Sequence, residues 1–161
     1  MLIKEIKTQL FADYFQFYIQ DENVTGDLSN AWTDEAVDRL LALAPGTIGV
    51  GTVRNMDVPV TIKIFNNKPQ LWDDLSLIHH INECDFETQS DKIVVAGCTD
   101  YFPDAMRVEI GKGLYKIRIY YGNLDKLSDD QLDGEDFYEI QIWPSENRSG
   151  VQILKNKNHC T

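Results

Sequence analysis

Leu114-Tyr115-Lys116-Ile117-Arg118-Ile119-Tyr120-Tyr121 is the stretch of sequence that decides the fold. Apolar and aromatic residues alternate with two basic residues, and a period of two is typical of a β-strand with one face in a core and the other in water. Lys116 and Arg118 are expected to face water. The residues expected to face the core are Tyr115, Ile117, Ile119 and Tyr121.

Similar strand patterns lie on both sides of this stretch. Phe137–Trp143 follows it, and Leu10–Gln20 predicts the first strand of the chain. With further short strands and turn residues between them, the sequence predicts a mainly β fold, a β-sandwich of about eight antiparallel strands. The 161 residues fit a single domain over residues 1–161, in which residues 155–161 are expected to be a frayed tail.

One amphipathic helix is predicted at about residues 33–44. Thr33 is a suitable N-cap, and Asp34 and Glu35 place negative charge in the first turn, where the helix dipole favours it. Pro45 and the glycine after it would end the helix. The apolar face at helical spacing, Val37, Leu40, Leu41 and Ala44, is expected to pack across one end of the sandwich.

The overall charge limits the classes of partner. The net charge of −11 repels nucleic-acid phosphates and anionic lipids, so we expect neither direct nucleic-acid binding nor a membrane span, and a basic protein is the favoured partner. The N-terminal residues are too charged for a signal peptide. Three widely spaced cysteines without a CxxC motif are then typical of reduced thiols, which predicts a cytoplasmic protein.

The strongest local concentration of charge lies between the last two predicted strands. Its acidic residues, our candidate partner-binding residues, are Asp125, Asp129, Asp130, Asp133, Glu135 and Asp136. Three interpretations stay open: a solvated loop, a surface for a basic protein, or a Ca²⁺ site of a small-ligand-binding sandwich. The spacing does not fit an EF-hand, because the closing glutamate position falls on Ile140.

The sequence contains no recognised catalytic motif. A nucleophile elbow, a Walker loop and an HExxH motif are all absent, so we predict a non-enzymatic protein without catalytic residues or a cofactor. His79, His80 and Cys84 suggest a zinc site at first sight, but adjacent strand residues point to opposite faces. We therefore predict no metal ligands among them. The dense aromatic residues of the first strand, Tyr14 and Phe15 included, are expected to serve packing.

Several motifs resemble the competence protein J family. The most specific is Trp32-Thr33-Asp34-Glu35-Ala36, followed by the helix and by Thr52-Val53-Arg54-Asn55. Tyr14-Phe15-Gln16-Phe17 looks like the first strand of that family, and Ile110–Tyr115 looks like the start of a late strand. These motifs cover most of the chain in the same order. The acidic segment is longer than expected for the family.

The resemblance implies a bacterial protein of the competence system. The best-known member of the family is described as an inhibitor of the DNA-uptake nuclease of naturally transformable bacteria. By resemblance, we expect a nuclease inhibitor that acts by binding a basic protein such as a nuclease through an acidic face. A homodimer formed through strand edges is a further expectation for its assembly.

Overall fold

Two β-sheets face each other in the computed structural model, which describes residues 1–24 and 26–159. The larger sheet has six strands, in the spatial order β1 (Leu2–Phe11), β5 (Asp57–Phe65), β10 (Phe137–Pro144), β9 (Gly113–Gly122), β6 (Ile78–Thr88) and β11 (Gln152–Lys155). The smaller sheet has five strands, in the order β3 (Leu41–Ala44), β4 (Thr47–Gly51), β2 (Gln16–Asp21), β7 (Lys92–Gly97) and β8 (Met106–Glu109). The predicted β-sandwich is confirmed.

Among the described strands, the pairing is antiparallel with one exception. β5 and β10 run parallel, with Ile62 opposite Ile140. The other pairs of the six-stranded sheet are antiparallel, with Ile119 of β9 placed between Ile140 of β10 and Asn82 of β6. The described residues thus form eleven strands where about eight were predicted, because β1 precedes most of the predicted first strand and the short edge strand β3 falls within the predicted helix.

The core lies between the two sheets. Leu114–Tyr121 of β9, the stretch that decides the fold, supplies one wall. Tyr115, Ile117, Ile119 and Tyr121 are buried in the central apolar cluster, as predicted. Phe17 and Ile19 of β2, together with Ile93 and Val95 of β7, supply the facing wall from the smaller sheet. Alternate residues of each strand therefore meet at the centre, as in other β-sandwiches.

Arg118 contradicts the prediction that it faces water, since only 1% of its surface is exposed. The connection between β5 and β6, residues 66–77, folds back over the outer face of the six-stranded sheet. Arg118 donates to the carbonyl oxygen of Pro69 at 3.0 Å and pairs with Glu83 at 2.7 Å. Trp72 of the same connection stacks on Tyr120 with ring centroids 4.0 Å apart. The outer face is therefore covered where the alternation predicted solvent.

The helix is shorter than predicted. Helix α1 spans Asp34–Arg39, and the hydroxyl of Thr33 caps it by accepting a hydrogen bond from Ala36 N at 3.2 Å. Leu40 then adopts a left-handed conformation, and residues 41–44 form β3 beside β4. Pairing with β4 buries Leu41 completely, so tertiary packing overrides the helical spacing of the apolar residues.

Two other boundaries differ from the predictions. The first predicted strand, Leu10–Gln20, is interrupted by a turn at residues 12–15 that separates β1 from β2. Part of the predicted frayed tail is held by hydrogen bonds: Lys155 ends β11, and the backbone N–H of Lys157 donates to His80 Nδ1 at 3.1 Å. Cys160 and Thr161 lie outside the described residues. Within the described part of the chain, no helix is long and apolar enough to cross a membrane.

Candidate functional site

Five connecting segments lie together at one end of the sandwich, which we call the loop end. The strand registers bring the segments together, because Phe11 pairs with Asp57, Gln16 with Gly51, Phe17 with Gly97, and Gly122 with Phe137. The segments of the loop end are residues 12–15, 32–40, 52–56, 98–105 and 123–136.

The loop end is the most acidic part of the molecule. Its five segments carry 12 of the 26 acidic residues of the chain but 3 of its 15 basic residues. Two of those three bases already pair with carboxylates, Arg39 with Glu35 at 3.6 Å and Arg54 with Asp136 at 2.8 Å. A surface with this excess of one charge raises the local concentration of an oppositely charged partner and speeds their encounter.

Five of the six predicted partner-binding residues are exposed on the 123–136 segment: Asp125, Asp129, Asp130, Asp133 and Glu135. The segment is hydrogen-bonded to itself. Glu135 N donates to Lys126 O at 2.8 Å, and Ser128 N donates to Asp133 O at 2.9 Å. The Ser128 hydroxyl and Leu132 N–H donate to Asp130 and hold the pKa of its carboxyl below the usual value. The Asp130 carboxylate therefore keeps its charge to lower pH, and the segment presents its exposed side chains on a defined frame.

Asp136 does not belong to the exposed acidic surface, because its side chain is fully buried. Its carboxylate pairs with Arg54 and accepts a hydrogen bond from the Tyr138 hydroxyl at 2.8 Å. Val53 N in turn donates to the Tyr138 oxygen at 3.0 Å. Burial and the Asp136 charge raise the pKa of Tyr138 well above its usual value, so the phenol keeps its proton. Asp136 thus fixes residues 53 and 54 from inside the protein.

An apolar groove of about 490 Å³ opens beside this anchored segment. Three large side chains around it are exposed to solvent: Tyr14 by 74%, Phe15 by 47% and Val37 by 56%. Gly51 and Thr52 also line the groove. Adjacent exposed apolar side chains of this size mark interaction sites more often than isolated ones do. The sequence did not predict this groove, because the aromatic residues of the first predicted strand were expected to serve packing.

The backbone around the groove is held in uncommon conformations. Tyr14, Phe15 and Leu40 have φ angles of 59°, 61° and 62°, in the left-handed region that bulky residues rarely adopt. Each such residue costs about 1–3 kcal/mol, which the surrounding contacts must offset. Two of these contacts are backbone hydrogen bonds across the groove, from Thr52 N to Phe15 O and from Gly51 N to Leu40 O, both at 2.9 Å.

A buried polar network holds the other wall of the groove. Asn82 Nδ2 donates to the carbonyl oxygen of Arg39 at 2.7 Å and to the Tyr121 hydroxyl at 3.0 Å. The Tyr121 hydroxyl donates to Leu40 O at 2.7 Å, and His80 Nε2 lies 3.0 Å from Asn82 Oδ1. Side chains of the larger sheet thus bind the carbonyl groups that end α1, where the left-handed Leu40 begins β3.

His80 makes the stability of this network dependent on pH. Its side chain is fully buried, and burial lowers the pKa of the imidazole below its usual value. The unfolded chain takes up this proton as the pH falls through about 6.5, whereas the folded protein resists it until a lower pH. The stabilisation from neutral His80 is therefore present above about pH 6.5 and is lost as the pH falls towards the lower folded-state pKa.

A His80→Gln variant tests this expectation, because glutamine is neutral and retains a donor and an acceptor. The stability advantage of the wild type over the variant should shrink between pH 7 and pH 5, measured as the difference in unfolding free energy in urea. A difference that stays constant over that range would contradict a buried neutral imidazole.

The geometry gives no support to a metal site. Within residues 1–24 and 26–159, no three His, Cys, Asp or Glu side chains converge as ligands. His79 Nδ1 accepts a hydrogen bond from Leu124 N at 3.1 Å, and its Nε2 lies 3.5 Å from Asp125. This contact joins β6 to the acidic segment. His79 and His80 therefore have different partners.

The two sheets and their loop end define a β-sandwich fold with known structural neighbours. One is ComJ from Bacillus subtilis, described as an inhibitor of the DNA degrading activity of NucA, with a TM-score of 0.70 and 19% identity over 90% of this chain and 99% of that chain. Another is described as crocagin biosynthetic gene J, with a TM-score of 0.59 and 12% identity over 89% of this chain and 98% of the other. No protein-family model and no curated protein matches the sequence. The neighbour ComJ confirms, at the level of the fold, the resemblance to the competence protein J family.

Proposed function

We propose that this protein is a non-enzymatic inhibitor that binds a basic partner, a nuclease, through its loop end. The observation that carries the proposal is the excess of carboxylates at one end of a fold shared with a nuclease inhibitor. A nuclease must present positive charge where it holds the phosphate backbone. Carboxylates placed against that surface would compete with DNA for the same site.

The frame of the acidic segment suits this role. Exposed carboxylates chiefly speed association and favour partners of opposite charge, while adding little affinity individually. Asp125, Asp129, Asp130, Asp133 and Glu135 are exposed on the hydrogen-bonded 123–136 segment and are assigned this role. Asp136 is assigned a supporting role, because it lies inside the protein.

Affinity capture from a lysate of the source organism at low salt tests the proposed function. The immobilised protein should retain a nuclease, and the eluted nuclease should degrade DNA more slowly when the free protein is added back. Retention without any effect on DNA degradation would contradict inhibition. Failure to retain any nuclease would contradict the proposed partner.

A charge variant tests the role of the acidic segment. Replacing two exposed carboxylates, Asp129→Asn with Asp130→Asn, should weaken binding of the captured nuclease roughly fivefold at low salt, because complementary charges attract over longer distances there. At about 1 M salt, where the Debye length falls to about 3 Å, the difference should nearly disappear. Titration calorimetry at both salt concentrations measures this.

The matched control places the same change of charge at the opposite end of the sandwich. Asp91 and Glu146 are both exposed there, so Asp91→Asn with Glu146→Gln keeps the net charge equal to that of the first variant. This control should bind almost as the wild type does. Equal weakening by both variants would show that only the overall charge matters.

A further inference from the structure

We propose that the groove beside Tyr14, Phe15 and Val37 receives an apolar side chain from a cationic segment of the partner protein. The inference rests on the proposed function and adds an apolar centre to the interface. The acidic residues of the loop end would then form its rim. This arrangement, with an apolar centre inside a polar rim, is the usual anatomy of protein–protein interfaces.

Large apolar side chains beside the groove are exposed to water. Tyr14 leaves 74% of its surface in water and Val37 leaves 56%, although neither has a charged group that would favour this position. Burial of such side chains is favourable by about 25 cal/mol for each Å² removed from water. Aromatic side chains in well-packed central pockets are also the residues that dominate binding energy in interfaces. A partner side chain entering the groove would bury the Tyr14, Phe15 and Val37 side chains at once.

The charge around the groove selects the kind of occupant. Asp13 precedes Tyr14 and accepts a hydrogen bond from its N–H at 3.0 Å, and exposed Asp34 lies on α1 one turn before Val37. Exposed Asp38 follows Val37, but its carboxylate is already paired with Lys157 at 3.6 Å. Nucleic acid and anionic lipid carry the same sign of charge and are repelled. A second copy of this chain would bring two acidic ends together. A segment with arginine or lysine on both sides of an apolar residue complements the groove and its rim together.

The conformation of the groove walls supports a binding role. Tyr14 and Phe15 are consecutive aromatic residues in the left-handed region, and both side chains are exposed. Such conformations cluster at binding sites and are kept only where surrounding contacts determine them. Here the Thr52 hydrogen bond to Phe15 O holds the first wall, and the Tyr121 hydrogen bond to Leu40 O holds the second. The exposed apolar surface is therefore maintained at a cost.

Three blocked pentapeptides test the inference on the full-length protein. The first has one phenylalanine between two pairs of arginines, the second replaces the phenylalanine by alanine, and the third replaces the arginines by glutamates. The indole N–H signals of the ¹⁵N-labelled protein report binding. Trp32 lines the groove and donates to Gln16 at 2.6 Å, while Trp72 and Trp143 lie on the outer face of the larger sheet as internal references.

The arginine–phenylalanine peptide should shift the Trp32 signal and leave the other two indole signals in place. It should bind at least about tenfold more tightly than the alanine peptide, because one aromatic side chain is buried only in the first case. Phe15→Ser with Val37→Ser should abolish the Trp32 shift. Leu132→Ser removes an exposed apolar side chain from the acidic segment, outside the groove, and should not affect it.

Every other outcome overturns the inference. Equal binding of the alanine peptide would show that charge alone causes binding. Equal binding of the glutamate peptide would show that the groove does not prefer a basic occupant. Absence of any Trp32 shift would exclude the groove. No nuclease takes part in this experiment, so its failure differs from a failure of the capture experiment: capture without peptide binding would keep the inhibitor and discard the groove.

Discussion

Replacing Asp136 by asparagine is expected to lower the free energy of unfolding by about 3–5 kcal/mol, the usual cost of breaking a buried ion pair by removing one partner. The variant leaves the charge of Arg54 without its carboxylate 2.8 Å away, in a site where the Arg54 side chain is 8% exposed. It also weakens the hydrogen bond from Tyr138, which fixes residue 53. Urea denaturation at pH 7 measures the change.

Asp133→Asn is the matched control for Asp136→Asn. It makes the same chemical change three residues away, on an exposed side chain of the same segment, and should alter stability by less than about 0.5 kcal/mol. A double variant, Asp136→Leu with Arg54→Met, should recover much of the lost stability, because it removes both charges together. Similar stabilities for Asp136→Asn and Asp133→Asn would refute the structural role of Asp136.

Replacing Asn82 by alanine is expected to cost about 2–4 kcal/mol, because it leaves several buried polar groups without partners. The side chain is fully buried and donates to both Arg39 O and the Tyr121 hydroxyl. Unlike a change in the apolar core, this one acts on the end of α1. The signal of Leu40 in a ¹⁵N spectrum should therefore move together with that of Trp32 on the groove.

Asn30→Ala serves as the control for Asn82→Ala, since Asn30 is exposed in the loop before α1. Its effect on unfolding should stay below about 0.5 kcal/mol. If Asn82→Ala destabilised the protein but left the Leu40 and Trp32 signals unchanged, the network would support the sheet without shaping the groove. If stability were unchanged as well, the hydrogen bonds of Asn82 would make no net contribution to the free energy of unfolding.

The strands of the larger sheet could be predicted because their inner residues obey a strict period of two. Ile117 and Ile119 face the core, and Ile140 and Ile142 of the next strand do the same. Arg118 could not be placed, because its environment comes from residues 66–77, a distant connection that covers the outer face. Local alternation identifies two faces of a strand but does not show what covers each.

The length of the helix and the presence of the groove could not be predicted, for a related reason. The apolar spacing from Val37 to Ala44 fits a helix and an edge strand equally well, and only pairing with β4 decides between them. The groove depends on the break between β1 and β2, where Tyr14 and Phe15 take left-handed conformations. Nothing in two consecutive aromatic residues indicates such a break, whereas a glycine would have done so.

The sequence predicted the charge of the candidate site but not its shape. Five of the six acidic residues are exposed on one segment, since clustered carboxylates seldom pack inside a protein. Asp136 is the exception because Arg54, 82 residues earlier in the chain, supplies its partner. A pairing between residues so distant in sequence is visible only once the sheets are assembled.

The hydrogen bonds that fix both walls of the groove have a consequence for the kinetics of binding. Tyr121 of the larger sheet holds Leu40, and the backbone N–H of Thr52 holds Phe15, so both walls are already in place in the free protein. Little conformational entropy is then lost on binding, because no loop has to become ordered. Such ordering is otherwise a main cost of association. A preorganised surface of this kind is expected to bind in a single kinetic step, at a rate set by diffusion and charge.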